Sequence, residues 1–343
     1  MKKIFLIKDY RGAFYSKVEN IREFCSLDIL KIKALIEKKG FIVEILDFSE
    51  LAKKDVIDSI VIYTSSEDNY GLYKNYIESV LMNIDCSLLL PNINFLTAHH
   101  NKVAMEMLRN KLLPEQEEIF ETEFFGTHEE IKNKKIISNK WPKVFKLSFG
   151  AGAKGVALAQ NKKDLLKISK KLTRTYFLKE VFFELIARLR RKNYIRRSLN
   201  RQSFIIQNFI PNLLGDYKVL VYGKKYYILK RNNRPNDFRA SGSGLFEFDL
   251  DNEFERDLIL DYAYNIHSKL DTPLLSLDIA VSSGVPYLIE FQAICFGTLT
   301  AEKSKKYYTK INNKWEVNVA STDVEEEFVN AVIDYIDIKF GNL

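Results

Sequence analysis

Along the first hundred residues, short apolar runs alternate with amphipathic stretches. Residues 4–7 are a short apolar run of strand type. From 28 to 40 the apolar positions recur at helical spacing and a glycine ends the run, which predicts a helix with a glycine stop. Residues 41–46 and 59–63 predict buried strands, 70–84 a helix and 87–90 another strand. Strand and helix taking turns with short connectors predict a parallel α/β sheet.

The pattern changes after residue 98. Residues 101–112 have helical spacing until Pro114 interrupts it. Residues 142–146 form a strand pattern that enters Gly150-Ala-Gly152-Ala-Lys-Gly155, and 156–159 alternate as a second strand. Helical spacing returns at 163–171, and strand patterns at 204–210, 217–222 and 225–229. A helix is predicted over 257–269, then two strands, 275–281 and 286–291, joined by a hairpin-type turn at 282–285.

Between residues 170 and 201 the chain carries eleven lysines and arginines against two acids, Glu180 and Glu184. Phe177, Val181, Leu185 and Leu189 follow i, i+4 spacing on one helix face. This segment reads either as a solvated amphipathic helix or as a basic arm over a polyanionic substrate or an anionic surface.

Composition narrows the class. With 343 residues and 46% apolar content, the chain can bury two or three cores. Its 14 glycines and 7 prolines argue against extensive disorder. Net charge is only +7, so polyanion contact requires that the charge be concentrated, as it is in the arm. Cys25, Cys86 and Cys295 lie far apart, with neither a disulfide framework nor zinc spacing, which suits a reducing compartment. The N-terminal apolar run is too short for a signal peptide, and no run is long enough to span a bilayer. A cytoplasmic protein is expected.

The glycine string matches G-x-G-x-x-G, but a dinucleotide turn needs a following helix and an acid about twenty residues on. Here a strand follows, and residues 173–177 hold no carboxylate. A phosphate loop of the Gly-Lys-Ser/Thr type fails at Val156. What fits is a glycine-rich turn between antiparallel strands, with Lys146 on the entering strand. Glycines let backbone N–H groups approach phosphate oxygens, and a lysine adds a point charge.

Far downstream, Asp278 and Glu290 interrupt apolar strands, and Gln292 shares a strand face with Glu290. Carboxylates in such runs are costly unless paired or metal-bound. Two carboxylates and an amide oxygen form a hard oxygen set suited to Mg²⁺.

In this combination the chain resembles the ATP-grasp superfamily across roughly residues 99 to 297. The matching parts are His100-Asn-Lys102, Val144-Phe-Lys146 with Gly150 to Gly155, the strand Ile206-Gln-Asn-Phe-Ile210, and Asp278 with Glu290-Phe-Gln292. Asp216-Tyr-Lys218 and the segment from Arg231 through Arg239 to Gly244 are similar to the glutamate-adding ligase branch. Two departures stand out: Gln292 replaces the usual Asn, and Lys218 replaces an Arg and so loses its bidentate grip.

The resemblance implies an N-terminal α/β domain over 1–98 and a two-lobed α+β ATP-grasp domain over 99–343. Within the latter, a lid lobe over 138–208 carries the basic arm, and a large lobe over 209–343 binds metal. It implies ATP and Mg²⁺ as cofactors. Lys102, Lys146, Gly150, Gly152 and Gly155 would meet the phosphates, Gln207, Asn208, Phe209 and Ile210 the adenine, and Asp216 the ribose. Asp278, Glu290 and Gln292 would bind metal. Arg239, Arg231 and Lys146 would act on the transferred group, three arginines and two glycines in 231–244 suiting an anionic transition state. Three activities suit these parts: a ligase making amides through an acyl phosphate, a phosphotransferase, or a nucleotide-binding module without turnover. Expected partners are an acidic small-molecule or oligomeric substrate and an amine, with no nucleic acid. A homodimer is expected.

Overall fold

The chain folds into two compact units, residues 1–99 with 212–343 and residues 100–211. The computed structural model describes residues 2–20, 23–66, 71–134, 140–150, 155–175, 177–213, 215–233, 244–320 and 323–341.

In the first unit the N-terminal part runs β1 (Lys3–Lys8), the antiparallel pair β2 (Lys17–Asn20) and β3 (Glu23–Cys25), α1 (Ile29–Lys38), β4 (Ile42–Asp47), α2 (Phe48–Leu51), β5 (Ile60–Tyr63), α3 (Leu72–Leu81), β6 (Leu88–Leu90) and α4 (Ile93–Ala98). The sheet order is β4-β1-β5-β6, all parallel, as the alternating pattern predicted. Helix α1 starts where Asp28 accepts from the N–H groups of Leu30 and Lys31. Period-two alternation splits β1 between two cores. Ile4 and Leu6 pack with Ile32 and Ile36 of α1, whereas Phe5 and Ile7 pack with Ile77 and Leu81 of α3.

The second unit holds α5 (Lys102–Leu112), α6 (Glu117–Phe120), β7 (Glu123–Phe125), α7 (His128–Asn133), β8 (Lys143–Leu147), β9 (Val156–Ala159), α8 (Lys162–Leu172), α9 (Leu178–Arg190) and β10 (Phe204–Asn208). Its sheet runs β7-β10-β8-β9, antiparallel throughout. One sheet face supplies Phe125, Phe145, Phe204 and Ile206 to a core closed by Ile131 of α7 and Leu165 of α8. The stacked rings of Phe125, Phe204 and Phe145 run across three neighbouring strands. Strand β7 lies before residue 138, so this sheet draws on more chain than the segment the sequence marked for the lid lobe.

The remainder of the first unit runs β11 (Gly215–Tyr222), β12 (Lys225–Asn232), β13 (Phe246–Phe248), α10 (Glu253–Leu270), β14 (Leu274–Ser282), β15 (Val285–Gln292), α11 (Leu299–Lys303), β16 (Lys306–Ile311), β17 (Lys314–Val319) and α12 (Val324–Phe340). The sheet order is β15-β14-β11-β12-β16-β17, with β13 also on β12. The β14–β15 hairpin turns through Ser283 and Gly284, both with positive φ, as a tight two-residue hairpin turn requires. Phe328, Val332 and Ile336 of α12 join Leu220, Tyr222 and Tyr227 in the same core as Ile4, Leu6 and α1. That shared core is why residues 1–99 belong with 212–343.

Candidate functional site

The sequence-predicted residues gather in two groups, one in each unit. In the 100–211 unit, cross-strand register places Lys146 opposite Ile205 and Gln207 opposite Val144. Those four share one sheet face, because directly opposed residues project to the same side. Phe145, Phe204 and Ile206 occupy the other side and fill the core. Alternation along β8 and β10 thus sends Phe145, Phe204 and Ile206 to the core and puts Lys146 and Gln207 on the opposite face, beside Val144 and Ile205.

Gln207 is 1% exposed. Its Nε2 donates to Thr122 Oγ1 at 3.0 Å, and its Oε1 finds no partner among the described residues. An unsatisfied buried acceptor is costly, and an adenine amino group would satisfy it. Neighbouring Asn208 accepts from Lys143 Nζ at 3.1 Å. Lys143 is fully buried, and burial pulls its ammonium below the usual lysine range, against the attraction of Glu123. Sequence reasoning missed Thr122 and Lys143. The second had a signal, a lysine placed in a strand close to Lys146, whereas Thr122 had none.

Lys102 opens α5. Asn101 caps that helix by accepting from Ala104 N–H, and also accepts from Ser148 Oγ at 2.6 Å. The Lys102 N–H donates to Ser148 O, and Lys102 Nζ reaches Gly150 O at 2.7 Å. The helix start is therefore fastened to the end of β8, and one predicted phosphate ligand touches the first loop glycine. Gly155 closes the loop at φ +77, and a Cβ there would lie 2.7 Å from Leu147 Cδ1. Only glycine suits that position. Phe209 and Ile210 follow β10 directly. Gly152 lies outside the described residues.

In the other unit, register assembles the charged set. Asp216 on β11 opposes Arg231 on β12, Lys218 opposes Asp278 on β14, and Asp278 opposes Glu290 on β15. Gln292 opposes Ser276, so all six predicted groups lie on one face. Farther along that face the residues are Leu220, Tyr222 and Tyr227, part of the core. The face is thus apolar at one end and charged at the other. Gly215 permits this pairing, since a Cβ there would meet Arg231 O at 2.3 Å.

Arg231 grips Asp216 with two bonds, Nε to Oδ1 at 2.6 Å and Nη2 to Oδ2 at 2.8 Å. Its Nη2 also reaches Asp278 Oδ2 at 2.8 Å, and Lys218 Nζ reaches Asp278 Oδ1 at 3.2 Å. Burial would raise both carboxyl groups, and their partners separate them. Asp278, held by two cations, falls to about 2. Asp216 is lifted by burial to about 6, because Arg231 is its main opposing partner and the Asp278 charge adds to the rise. Gln292 Nε2 donates to Glu290 Oε1 at 3.2 Å. Asp278, Glu290 and Gln292 are the oxygen-bearing side chains of this face that could hold Mg²⁺, Asp278 being held by Arg231 and Lys218 in this structure. Among the described residues, no group of three or more His, Cys, Asp or Glu side chains is placed to hold a metal ion. Arg239 lies outside the described residues.

Two histidines are tied to structural partners. His267 bonds Tyr226 Oη and Thr272 O, and His128 bonds Ser169 Oγ. Cys25, Cys86 and Cys295 form no disulfide, and among the described residues no helix is long and apolar enough to cross a membrane.

No family model matches the chain, and no curated protein matches it in sequence. Solved structures match it in fold. The D-cycloserine synthetase DcsG is similar over 97% of this chain and 99% of its own, with a TM-score of 0.54 and 11% identity. A D-alanine–D-alanine ligase from Bacillus anthracis, solved with ATP, is similar over 99% of both chains, with a TM-score of 0.50 and 13% identity. Likeness at such identity speaks to architecture alone. With its parallel N-terminal sheet, its antiparallel glycine-loop sheet and its Asp278–Glu290 hairpin, this chain shares the fold of these two enzymes, in line with the resemblance to the ATP-grasp superfamily read from the sequence.

Proposed function

We propose that this protein is an ATP-dependent carboxylate–amine ligase. One observation carries the reading: Asp216, Lys218, Arg231, Asp278, Glu290 and Gln292 meet on one sheet face, with paired cations beside the oxygen donors. Ion pairs serving stability alone do not need a second carboxylate and an amide lined up beside them.

In this reading Gln207, with its unsatisfied Oε1, and the backbone of Asn208, Phe209 and Ile210 receive adenine. Lys102, Lys146 and the amides of Gly150, Gly152 and Gly155 bind phosphates, and Asp216 serves the ribose. Asp278, Glu290 and Gln292 would hold Mg²⁺, which when bound neutralises phosphate charge. A substrate carboxylate oxygen attacks the γ-phosphorus while the bond to the β-phosphate oxygen breaks, giving an acyl phosphate and ADP. An amine then attacks the acyl carbon, phosphate departs with the bonding pair, and the amine gives up a proton. Arg231 and Arg239 stabilise the oxyanions of both steps. The basic residues favour an acidic sugar or peptide as the carboxylate. We place this chemistry in the cytoplasm.

The direct test incubates the protein with Mg-ATP, hydroxylamine and a panel of carboxylates. ADP, phosphate and hydroxamate are expected together. A phosphorylated alcohol in place of hydroxamate sinks the ligase reading. Glu290→Ala should cut turnover by at least ~100-fold, and full activity in that variant would refute its metal role.

A further inference from the structure

Helix α9 is built inside out. The one residue it buries is Glu184, whereas Leu178 is 86% exposed, Leu189 79% and Phe183 66%. At 3.6 residues per turn, Phe177, Leu178, Val181, Phe182, Leu185 and Leu189 fall on an arc of about 140°. All six are exposed. Contiguous apolar surface of this kind marks an interaction surface.

The charges around the arc have one outward sign. Both acids of the segment are engaged by its own groups. Glu184 accepts from Tyr194 Oη at 2.6 Å and from Arg197 N–H at 3.0 Å, and Glu180 accepts from Arg201 Nη2 at 2.9 Å. Lys179 and Arg190 lie beyond one edge of the arc and Arg188 falls just inside the other, all exposed. The return from α9 adds exposed Arg191, Lys192, Arg196 and Arg197. Between helix and return lies a cleft of about 400 Å³, with Arg190, Arg191, Arg197 and Arg201 in its lining.

We propose that α9 docks this protein on an anionic phospholipid surface. Its apolar arc enters the boundary between headgroups and acyl chains, and the surrounding arginines and lysines meet lipid phosphates. Charge complementarity selects this occupant. A second copy laid face to face would oppose two basic sets. A soluble acidic polymer or a nucleic acid would leave the phenylalanines and leucines in water. A bilayer with acidic headgroups satisfies both halves, as for other in-plane amphipathic helices.

The test is sedimentation of the full chain with phosphatidylcholine vesicles, with and without phosphatidylglycerol, at low and high salt. Binding is expected only to the anionic vesicles and should weaken with salt. Each Arg→Glu change at 188, 190 or 191 should weaken it about fivefold or more, and Phe182→Glu with Leu185→Glu should abolish it. A Phe182→Trp variant should show blue-shifted emission on anionic vesicles, a readout independent of the charge-reversed variants. No binding, or equal binding to neutral vesicles, overturns the proposal. So do unchanged binding in the Phe182/Leu185 variant with displacement by polyglutamate, which would mark an acidic-polymer site, and a dimer that only α9 substitutions dissociate.

Discussion

Among single residues, Arg231 governs the balance of the charged face. Its guanidinium serves two mostly buried carboxylates, 14% and 17% exposed, so Arg231→Met leaves both facing a lost partner. Removing one member of a buried ionic set costs about 3–5 kcal/mol, and urea unfolding of the variant should show a loss of that order. A loss below about 1 kcal/mol would mean that the pairs are solvated and weak. Asp216 makes a separate prediction with a definite sign. Its folded pKa, about 6, lies above its ordinary value of 3.8. Between those values the folded state holds a proton that the unfolded state has released, so this group's contribution to stability falls as pH rises through the window. The full effect is about 3 kcal/mol. The stability of the wild type relative to Asp216→Asn should therefore decline from about pH 4 to about pH 6 and then level off. A constant difference across that range would dismiss the burial argument. Asp278, held at about 2, acts oppositely, and its contribution is lost only in acid below the ordinary range.

Among the elements, the start of α5 links helix capping to the proposed phosphate site. Asn101 caps α5 and accepts from Ser148, and Lys102 donates to Ser148 and to Gly150. Asn101→Ala should cost about 1 kcal/mol and should weaken ATP binding, measured by calorimetry, more than Asn101→Ser, which keeps a capping oxygen. Equal ATP affinity in both variants would separate the cap from nucleotide binding. Most elements were legible from pattern alone. The strands around the glycine loop and the β14–β15 hairpin alternate cleanly, and their turn residues are unambiguous. Strand β7 was not legible, because three residues carry too little periodicity, and β16 and β17 alternate only weakly. Helix α9 was read correctly as amphipathic, yet its sequence does not say whether the apolar face is covered.

For the molecule as a whole, a ligand that binds only the folded chain raises its stability by mass action. Mg-ATP at about 100 times its dissociation constant should add about 2.7 kcal/mol, seen as a rise in melting temperature. Lys146→Ala should shrink that rise, and so should Glu290→Ala when Mg²⁺ is present. Absence of any shift with Mg-ATP would overturn the proposed nucleotide site.

Local pattern was enough to establish most strands and helices up to residue 291, the parallel N-terminal sheet, the glycine loop as a strand-to-strand turn, and the resemblance that the fold bore out. These rest on periodicity and turn chemistry, which neighbouring residues settle between them. Whatever needs distant strands to meet was decided by the folded chain. Folding set Asp216 against Arg231 and Asp278 against Lys218, left Gln207 with an unsatisfied oxygen, and joined residues 1–99 to 212–343 through α12. It also tied up the acids of α9 and left its apolar side bare, because what a helix face meets is fixed by the chain that packs on it.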